Sequence, residues 1–130
     1  MIVVDASAML EVLLRTETGG RIEDRLLSRR ESLHAPHLLD VEVAQVVRRY
    51  AAAGELTHER GLEALMDLVA FPVHRYPHDV LLPRIWELHD NVTAYDAAYL
   101  ALAETLAAPL VTCDARLGSA PQHDAEIEVY

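Results

Sequence analysis

The 130-residue chain contains no lysine, a single cysteine and no apolar run long enough to cross a membrane. A spanning helix needs about 20 apolar residues, whereas the run over 97–103 ends at Glu104. Cys113 has no partner for an intrachain disulfide, and its apolar neighbours favour a packed side chain over a nucleophile. The first residues lack the basic segment of a signal peptide, so we expect a cytoplasmic protein with no membrane contact.

The composition is that of an ordinary globular protein. Hydrophobic residues make up 52% of the chain and charged residues 25%, with only five glycines and six prolines. A chain of this length is sufficient for one hydrophobic core. Because no repeat or Gly- or Ser-rich linker divides it, we predict a single domain over residues 1–130.

The net charge of −10 argues against a surface for binding nucleic acid, because phosphate backbones are usually met by basic residues. Two features reduce this objection. Several acids can be concentrated at one metal site, and all eleven basic residues are arginine, whose planar guanidinium suits bidentate contact with phosphate.

Short apolar segments alternate with amphipathic ones along the chain. Strands are predicted at 2–4, 33–36, 73–76, 110–112 and 127–129. The first helix is predicted at 8–14 with Ser7 as its cap, and a second helix follows a break at 18–20. Further helices are predicted over 38–53, after Thr57, and around 80–88 with Trp86 as a buried anchor. A last helix is predicted over 94–106 with Thr93 as its cap. This alternation predicts an α/β protein with three layers, in which helices cover both faces of a parallel sheet of four to five strands.

Two aspartates directly follow predicted strands. Asp5 comes after the first strand, and Asp114 comes after the strand at 110–112. Because ligands of open parallel sheets bind outside the carboxyl ends of the strands, both side chains are expected at one edge. On its own, Asp114 is equally compatible with capping a turn before Ala115 and Arg116.

Two further acids lie where strands lead into helices. Asp96 stands in the first turn of the Thr93-capped helix, and Glu42 lies near the start of the helix after the second strand. Such a cluster is tolerable when a divalent cation neutralises it, and oxygen ligands alone indicate Mg²⁺ or Mn²⁺. The alternatives are a dipole contact for Asp96 and a surface ion pair between Glu42 and Arg48 or Arg49.

The segments around these acids resemble the four motifs of PIN-domain VapC toxins, in order and in spacing. They are Val4-Asp5-Ala6-Ser7-Ala8, Leu39-Asp40-Val41-Glu42-Val43-Ala44, Thr93-Ala94-Tyr95-Asp96-Ala97-Ala98-Tyr99-Leu100-Ala101-Leu102-Ala103 and Leu110-Val111-Thr112-Cys113-Asp114-Ala115-Arg116-Leu117. The resemblance covers essentially the whole chain. It implies a PIN-like fold and a magnesium-dependent endoribonuclease that uses metal-activated water. It also implies the toxin of a type II toxin-antitoxin pair, usually a homodimer held inactive by a VapB-type antitoxin.

By this resemblance the four acids Asp5, Glu42, Asp96 and Asp114 form the catalytic, metal-binding set. Ser7 and Thr112 match polar positions expected to hydrogen-bond the carboxylates. A further acid or a Phe often follows the fourth motif, whereas this chain continues with Ala115-Arg116-Leu117, so a fifth acidic ligand is not expected. Arg15, Arg48 and Arg116 are the candidate contacts to substrate phosphate. Trp86 and Tyr99 are expected to be buried core aromatics, and the alternative for both is a place in the dimer interface.

Two other functions are compatible with parts of this pattern. A receiver-like phosphoacceptor domain also gathers aspartates around Mg²⁺, but it normally needs a lysine at a later strand end, and the chain has none. A catalytically inactive PIN-like binding module would keep the fold and serve only a partner protein. Retention of four mutually repelling acids argues against that second possibility.

Overall fold

The computed structural model describes residues 1–28 and 30–130. The elements in chain order are β1 (Ile2–Val4), α1 (Ala6–Leu13), α2 (Glu17–Leu27), β2 (Leu33–Pro36), α3 (Leu38–Ala52), α4 (His58–Ala70), β3 (Val73–Tyr76), α5 (Leu82–Glu87), α6 (Ala94–Leu106), β4 (Leu110–Thr112), α7 (Ala115–Gly118) and β5 (Ile127–Val129). A 3-10 turn, Asp79–Leu81, leads into α5.

The five strands form one parallel sheet in the order β3-β2-β1-β4-β5. All five predicted strands are confirmed. Ile2, Val3 and Val4 of the central strand are fully buried, as expected for a strand that is covered on both faces. The predicted α/β class, with a central parallel sheet flanked by helices, is therefore confirmed.

The direction of the chain across the sheet separates the helices into two layers. From β1 through β2 to β3 the chain moves toward one edge of the sheet, and from β3 through β4 to β5 it moves toward the opposite edge. Because such crossovers are right-handed, α1 to α4 lie on one face, while α5 and α6 lie on the other. The contacts agree, since α1 packs on α2 and α3, and α6 packs on α5. The strand order reverses between β1 and β4, which is where open α/β sheets bind their ligands.

The prediction that Ser7 caps the first helix is wrong. The helix begins at Ala6, and its N-cap is Asp5, whose carboxylate accepts a hydrogen bond from the backbone N–H of Ala8 at 3.0 Å. Both residue types are good N-caps. Asp5 takes the position because β1 ends at Val4 and leads straight into the helix.

The predicted helix break at Thr18-Gly19-Gly20 is also wrong, because α2 runs through all three residues from its N-cap Thr16. Gly19 is buried against α1, where a Cβ atom would lie 2.0 Å from the carbonyl oxygen of Glu11. The glycine thus permits a close approach of α1 and α2, and this contact offsets its poor helix propensity.

The prediction that Trp86 is a buried anchor is wrong, because 71% of its surface is exposed. Its ring stacks on His89 with centroids 4.4 Å apart. The buried contacts of this short region come instead from Leu81 and Leu88, on either side of α5. Among the described residues, no helix has the length and apolarity to cross a membrane.

Candidate functional site

A cavity of about 690 Å³ opens at the carboxyl edge of the sheet, above β1 and β4. Its lining contains all four acids predicted from the sequence: Asp5, Glu42, Asp96 and Asp114. They come from four separate elements: the ends of β1 and β4, the second turn of α3 and the first turn of α6. The fold therefore brings together carboxylates that are up to 109 positions apart in the chain.

Asp5 lies at the bottom of this cavity and is only 6% exposed. Its Oδ1 accepts hydrogen bonds from the hydroxyl of Ser7 at 2.6 Å and from the N–H of Ala8, while its Oδ2 accepts one from the hydroxyl of Thr112. Burial raises the pKa of Asp5 above its ordinary value, although these three hydrogen bonds oppose the shift. The nearby charge of Asp96 raises it further.

Ser7 and Thr112 connect the ends of β1 and β4. The backbone N–H of Cys113 donates to Ser7 Oγ at 2.9 Å, and the N–H of Asp114 donates to Thr112 Oγ1 at 2.9 Å. Thr112 is completely buried. The two hydroxyl groups thus contact the carboxylate of Asp5 and fix the backbone that carries Asp114, in the supporting positions expected from the sequence.

Asp114 is held by an arginine two residues further along the chain. Its Oδ2 accepts from Arg116 Nη2 at 2.8 Å, and its Oδ1 accepts from Arg116 Nε at 3.1 Å. The side chain also caps α7 through the N–H of Arg116. The guanidinium lowers the pKa of the Asp114 carboxyl below its ordinary value, so Asp114 is fully ionised at neutral pH.

Asp96 is half-buried in the first turn of α6, which begins at the N-cap Thr93. Burial raises the pKa of Asp96, and the charge of Asp114 adds to this, while Arg116 lowers it. The dipole contact considered for Asp96 is available, because the residue stands at a helix N-terminus. It does not account for the three other acids that line the same cavity.

Glu42 reaches the cavity from α3 and is hydrogen-bonded to Tyr99 of α6, whose hydroxyl donates to Glu42 Oε1 at 2.8 Å. Burial raises the pKa of Glu42 first, and the charges of Asp5 and Asp96 raise it further. Burial together with Glu42 also raises the pKa of the Tyr99 phenol, so this phenol stays a neutral donor. Tyr99 was expected to be a core aromatic, and it is 2% exposed.

The donor chemistry of this set fits a hard divalent cation. It offers carboxylate oxygens and hydroxyls, and three of the four carboxyl pKa values are raised, first by burial and then by the neighbouring negative charges. Within residues 1–28 and 30–130, however, no three His, Cys, Asp or Glu side chains already stand close enough together to hold an ion. Asp114, for its part, is engaged with Arg116.

The arginines proposed as phosphate contacts separate into two groups. Arg116 lines the acidic cavity. Arg15 lies in another depression, beside Glu63 and Asp67, and Arg48 faces the groove between α3 and α4. Neither of these two belongs to the lining of the acidic cavity.

A second arginine of the cavity, Arg49, was not predicted from the sequence. The signal was present, because Arg49 follows Glu42 by seven residues, or two helical turns, and so shares its face of α3. Gln45 and Val46, at the intermediate positions, line the same cavity. Helical periodicity counted from Glu42 therefore favours Arg49 over its neighbour Arg48.

Comparison with known proteins agrees with this architecture. The family model described as "PIN domain" matches residues 2–122. Ribonuclease VapC9 of Mycobacterium tuberculosis is 45% identical over 129 residues, which cover 99% of this chain and 98% of that protein. Ribonuclease VapC12 of the same organism is 40% identical over the same coverage.

The chain belongs to the PIN-domain family. The resemblance to VapC proteins that was identified from the four motifs is thereby confirmed. Among solved structures, VapBC2 of Rickettsia felis, bound to a DNA fragment from its promoter, superposes on this PIN domain with a TM-score of 0.71 at 12% identity. The superposition covers 99% of this PIN domain and 98% of that chain, and it shows a shared fold.

Proposed function

We propose that this PIN domain is an endoribonuclease that hydrolyses RNA phosphodiester bonds with Mg²⁺ as its cofactor, or Mn²⁺ as a substitute. The observation that carries the proposal is the convergence of Asp5, Glu42, Asp96 and Asp114 on one cavity at the strand-order reversal. The names of the relatives support the reaction, since both VapC9 and VapC12 are ribonucleases.

In this proposal all four acids serve the cation. Asp5, Asp96 and Asp114 would hold the cation, and Glu42 would hold it directly or through water. The bound cation supplies Lewis-acid chemistry, because it acidifies water and neutralises charge on phosphate. Asp5 is fixed by burial and by three hydrogen bonds, which leave its carboxylate little freedom to turn away.

The arginines at the cavity would bind the RNA backbone. Arg49 and Arg116 both line the cavity beside the carboxylates, and both side chains are exposed. With Asp114 holding a cation, the Arg116 guanidinium would be available for a phosphate oxygen. The attacking group would be water, because Cys113 is a poor nucleophile: burial raises the pKa of its thiol to about 11.

We further propose that the chain is the toxin of a toxin-antitoxin pair, neutralised by a VapB-type antitoxin, and that it forms a homodimer. The Rickettsia structure that shares this fold is of VapBC2, and an acidic cavity suits an inhibitor that inserts Arg or Lys. Light scattering on the purified chain tests the dimer, and the mass of one chain would contradict it. Co-purification of a small protein from the native host tests the antitoxin.

One observation favours a different function. With Asp114 paired to Arg116 and no three potential ligands close together in the described part of the chain, the cavity is compatible with a catalytically inactive binding module. Such a module would use the same cavity for a basic partner protein. It would not cleave RNA under any metal condition.

Cleavage of total RNA by the purified, inhibitor-free protein distinguishes the two functions. We expect discrete fragments with Mg²⁺ or Mn²⁺, none with EDTA, and a loss of at least about 100-fold for Asp96→Asn. Asp24→Asn is the matched control, because Asp24 is an exposed acid on α2, outside the cavity. Absence of cleavage by the folded protein with either cation would support the binding module.

A further inference from the structure

A buried tyrosine links two of the helices that carry the acidic set. Tyr99 stands one helical turn after Asp96 on α6, and its hydroxyl reaches across to Glu42 on α3 with an oxygen-to-oxygen distance of 2.8 Å. The two helices lie on opposite faces of the sheet, so this hydrogen bond connects the layers at the cavity. The roles proposed above for the four acids make no use of it.

The hydrogen bond restricts the longest of the four acidic side chains. Glu42 is half-buried and has three side-chain torsions, and among the described residues the Tyr99 hydroxyl is its side-chain hydrogen-bond partner. The phenol cannot follow a moving carboxylate, because its ring is packed in the core at 2% exposure. The contact engages Oε1 and leaves Oε2 for other ligands.

The structure assigns Tyr99 as a positioning residue that holds Glu42 toward the cation site. The assignment rests on the proposed metal-dependent function. Tyr99 does not contact the cation or the RNA in this assignment. It acts through Glu42, by removing side-chain freedom that cation binding would otherwise have to restrict.

Binding of Mn²⁺ alone, followed by electron paramagnetic resonance without RNA, tests the assignment. Tyr99→Phe keeps the ring and removes only the hydroxyl, and we expect it to weaken Mn²⁺ binding about 10-fold. Tyr76→Phe is the matched control, because the Tyr76 hydroxyl lies 2.7 Å from Nδ1 of buried His34, and Tyr76 is not part of the cavity lining. We expect Tyr76→Phe to leave Mn²⁺ affinity unchanged, whatever its effect on stability.

A double-mutant cycle shows whether Tyr99 acts through Glu42. In a Glu42→Gln background, the additional Tyr99→Phe change should alter Mn²⁺ affinity by less than about 2-fold, because its route of action has been removed. If Tyr99→Phe does not fold, 4-fluorophenylalanine at position 99 provides the same test, since its fluorine fills the place of the hydroxyl and cannot donate a hydrogen bond to Glu42. The rate of RNA cleavage by Tyr99→Phe should be reduced at limiting Mn²⁺ and should be largely recovered at saturating Mn²⁺.

Three results would overturn the positioning role. They are unchanged Mn²⁺ affinity in folded Tyr99→Phe, equal weakening in Tyr76→Phe, and a full 10-fold effect of Tyr99→Phe in the Glu42→Gln background. Each of these leaves cation binding by the unaltered protein intact. If the unaltered protein binds no Mn²⁺, the metal-dependent function fails as well, so failure of the two proposals is distinguishable.

Discussion

At the scale of single residues, the site contains acids whose pKa values are shifted in opposite directions. The pKa values of Asp5, Glu42 and Asp96 are raised, and that of Asp114 is lowered by Arg116. A raised pKa in the folded protein means that the folded state binds the proton more tightly than the unfolded chain does. The resulting stabilisation is present at low pH and is lost as the pH rises through the folded pKa.

Asp96→Asn tests this linkage in cation-free buffer. Asparagine stays neutral, so the variant should unfold at the same temperature as the unaltered protein below about pH 3, where aspartic acid is protonated in both the folded and the unfolded chain. It should unfold at a higher temperature near pH 7, where Asp96 of the unaltered protein has lost its proton. Differential scanning calorimetry in EDTA across this range provides the measurement. A variant that is less stable than the unaltered protein at pH 7 would contradict the raised pKa.

At the scale of elements, the strands were predictable and several helix ends were not. The strands β1 and β4 are short apolar segments, and this local signal was sufficient, whereas β3 contains His74 and Arg75 and gave a weaker signal. Whether Asp5 or Ser7 caps α1 depends on where β1 stops pairing with β2 and β4. The four-residue α7 is too short for a periodic pattern, and its cap Asp114 was considered only as a turn residue or a ligand.

The packing of α1 on α2 explains why two consecutive glycines do not break a helix. Gly19 and Gly20 are chemically identical, but only Gly19 faces α1. Sequence analysis could not separate them, because the difference lies in a contact with a carbonyl group eight residues earlier. The exposure of Trp86 also depends on tertiary packing. No residue of α5 is buried, and the apolar pattern of its sequence does not show this.

Replacing each glycine by alanine should change stability in opposite directions. Gly19→Ala places a methyl group against the backbone of α1 and should lower the free energy of unfolding by about 2–3 kcal/mol. Gly20→Ala meets no atom within 4 Å and should raise it by about 0.5–1 kcal/mol. Urea denaturation of the two variants gives both values. Equal effects would show that backbone entropy, and not the contact between the helices, is decisive.

At the scale of the whole molecule, a net charge of −10 would make this an unusual RNA-binding protein. Among the acidic-cavity residues, the basic side chains are Arg49 and Arg116. Contacts to single-stranded RNA contribute about −0.7 each to the slope of log affinity against log salt. Two contacts therefore predict a slope no steeper than about −1.4.

A salt titration of RNA binding, at a fixed divalent-ion concentration and with uncleavable RNA, measures this slope. Arg49→Ala should reduce its magnitude by about 0.7. Arg48→Ala is the matched control one residue away, on the groove between α3 and α4, and should leave the slope unchanged. A slope several times steeper would show that further arginines, outside the cavity, contact the RNA.

The hydrogen bonds around the acids also bear on how the activity would respond to removal and addition of the cation. Asp5, Glu42 and Asp114 already have protein partners in Thr112, Tyr99 and Arg116. Hydrogen bonds within the chain therefore hold these three carboxylates. Removing the cation should abolish the activity of such an enzyme without unfolding it. Restoring the cation should restore the activity without a refolding step. Activity would then follow the supply of free divalent ions within the time needed for an ion to bind.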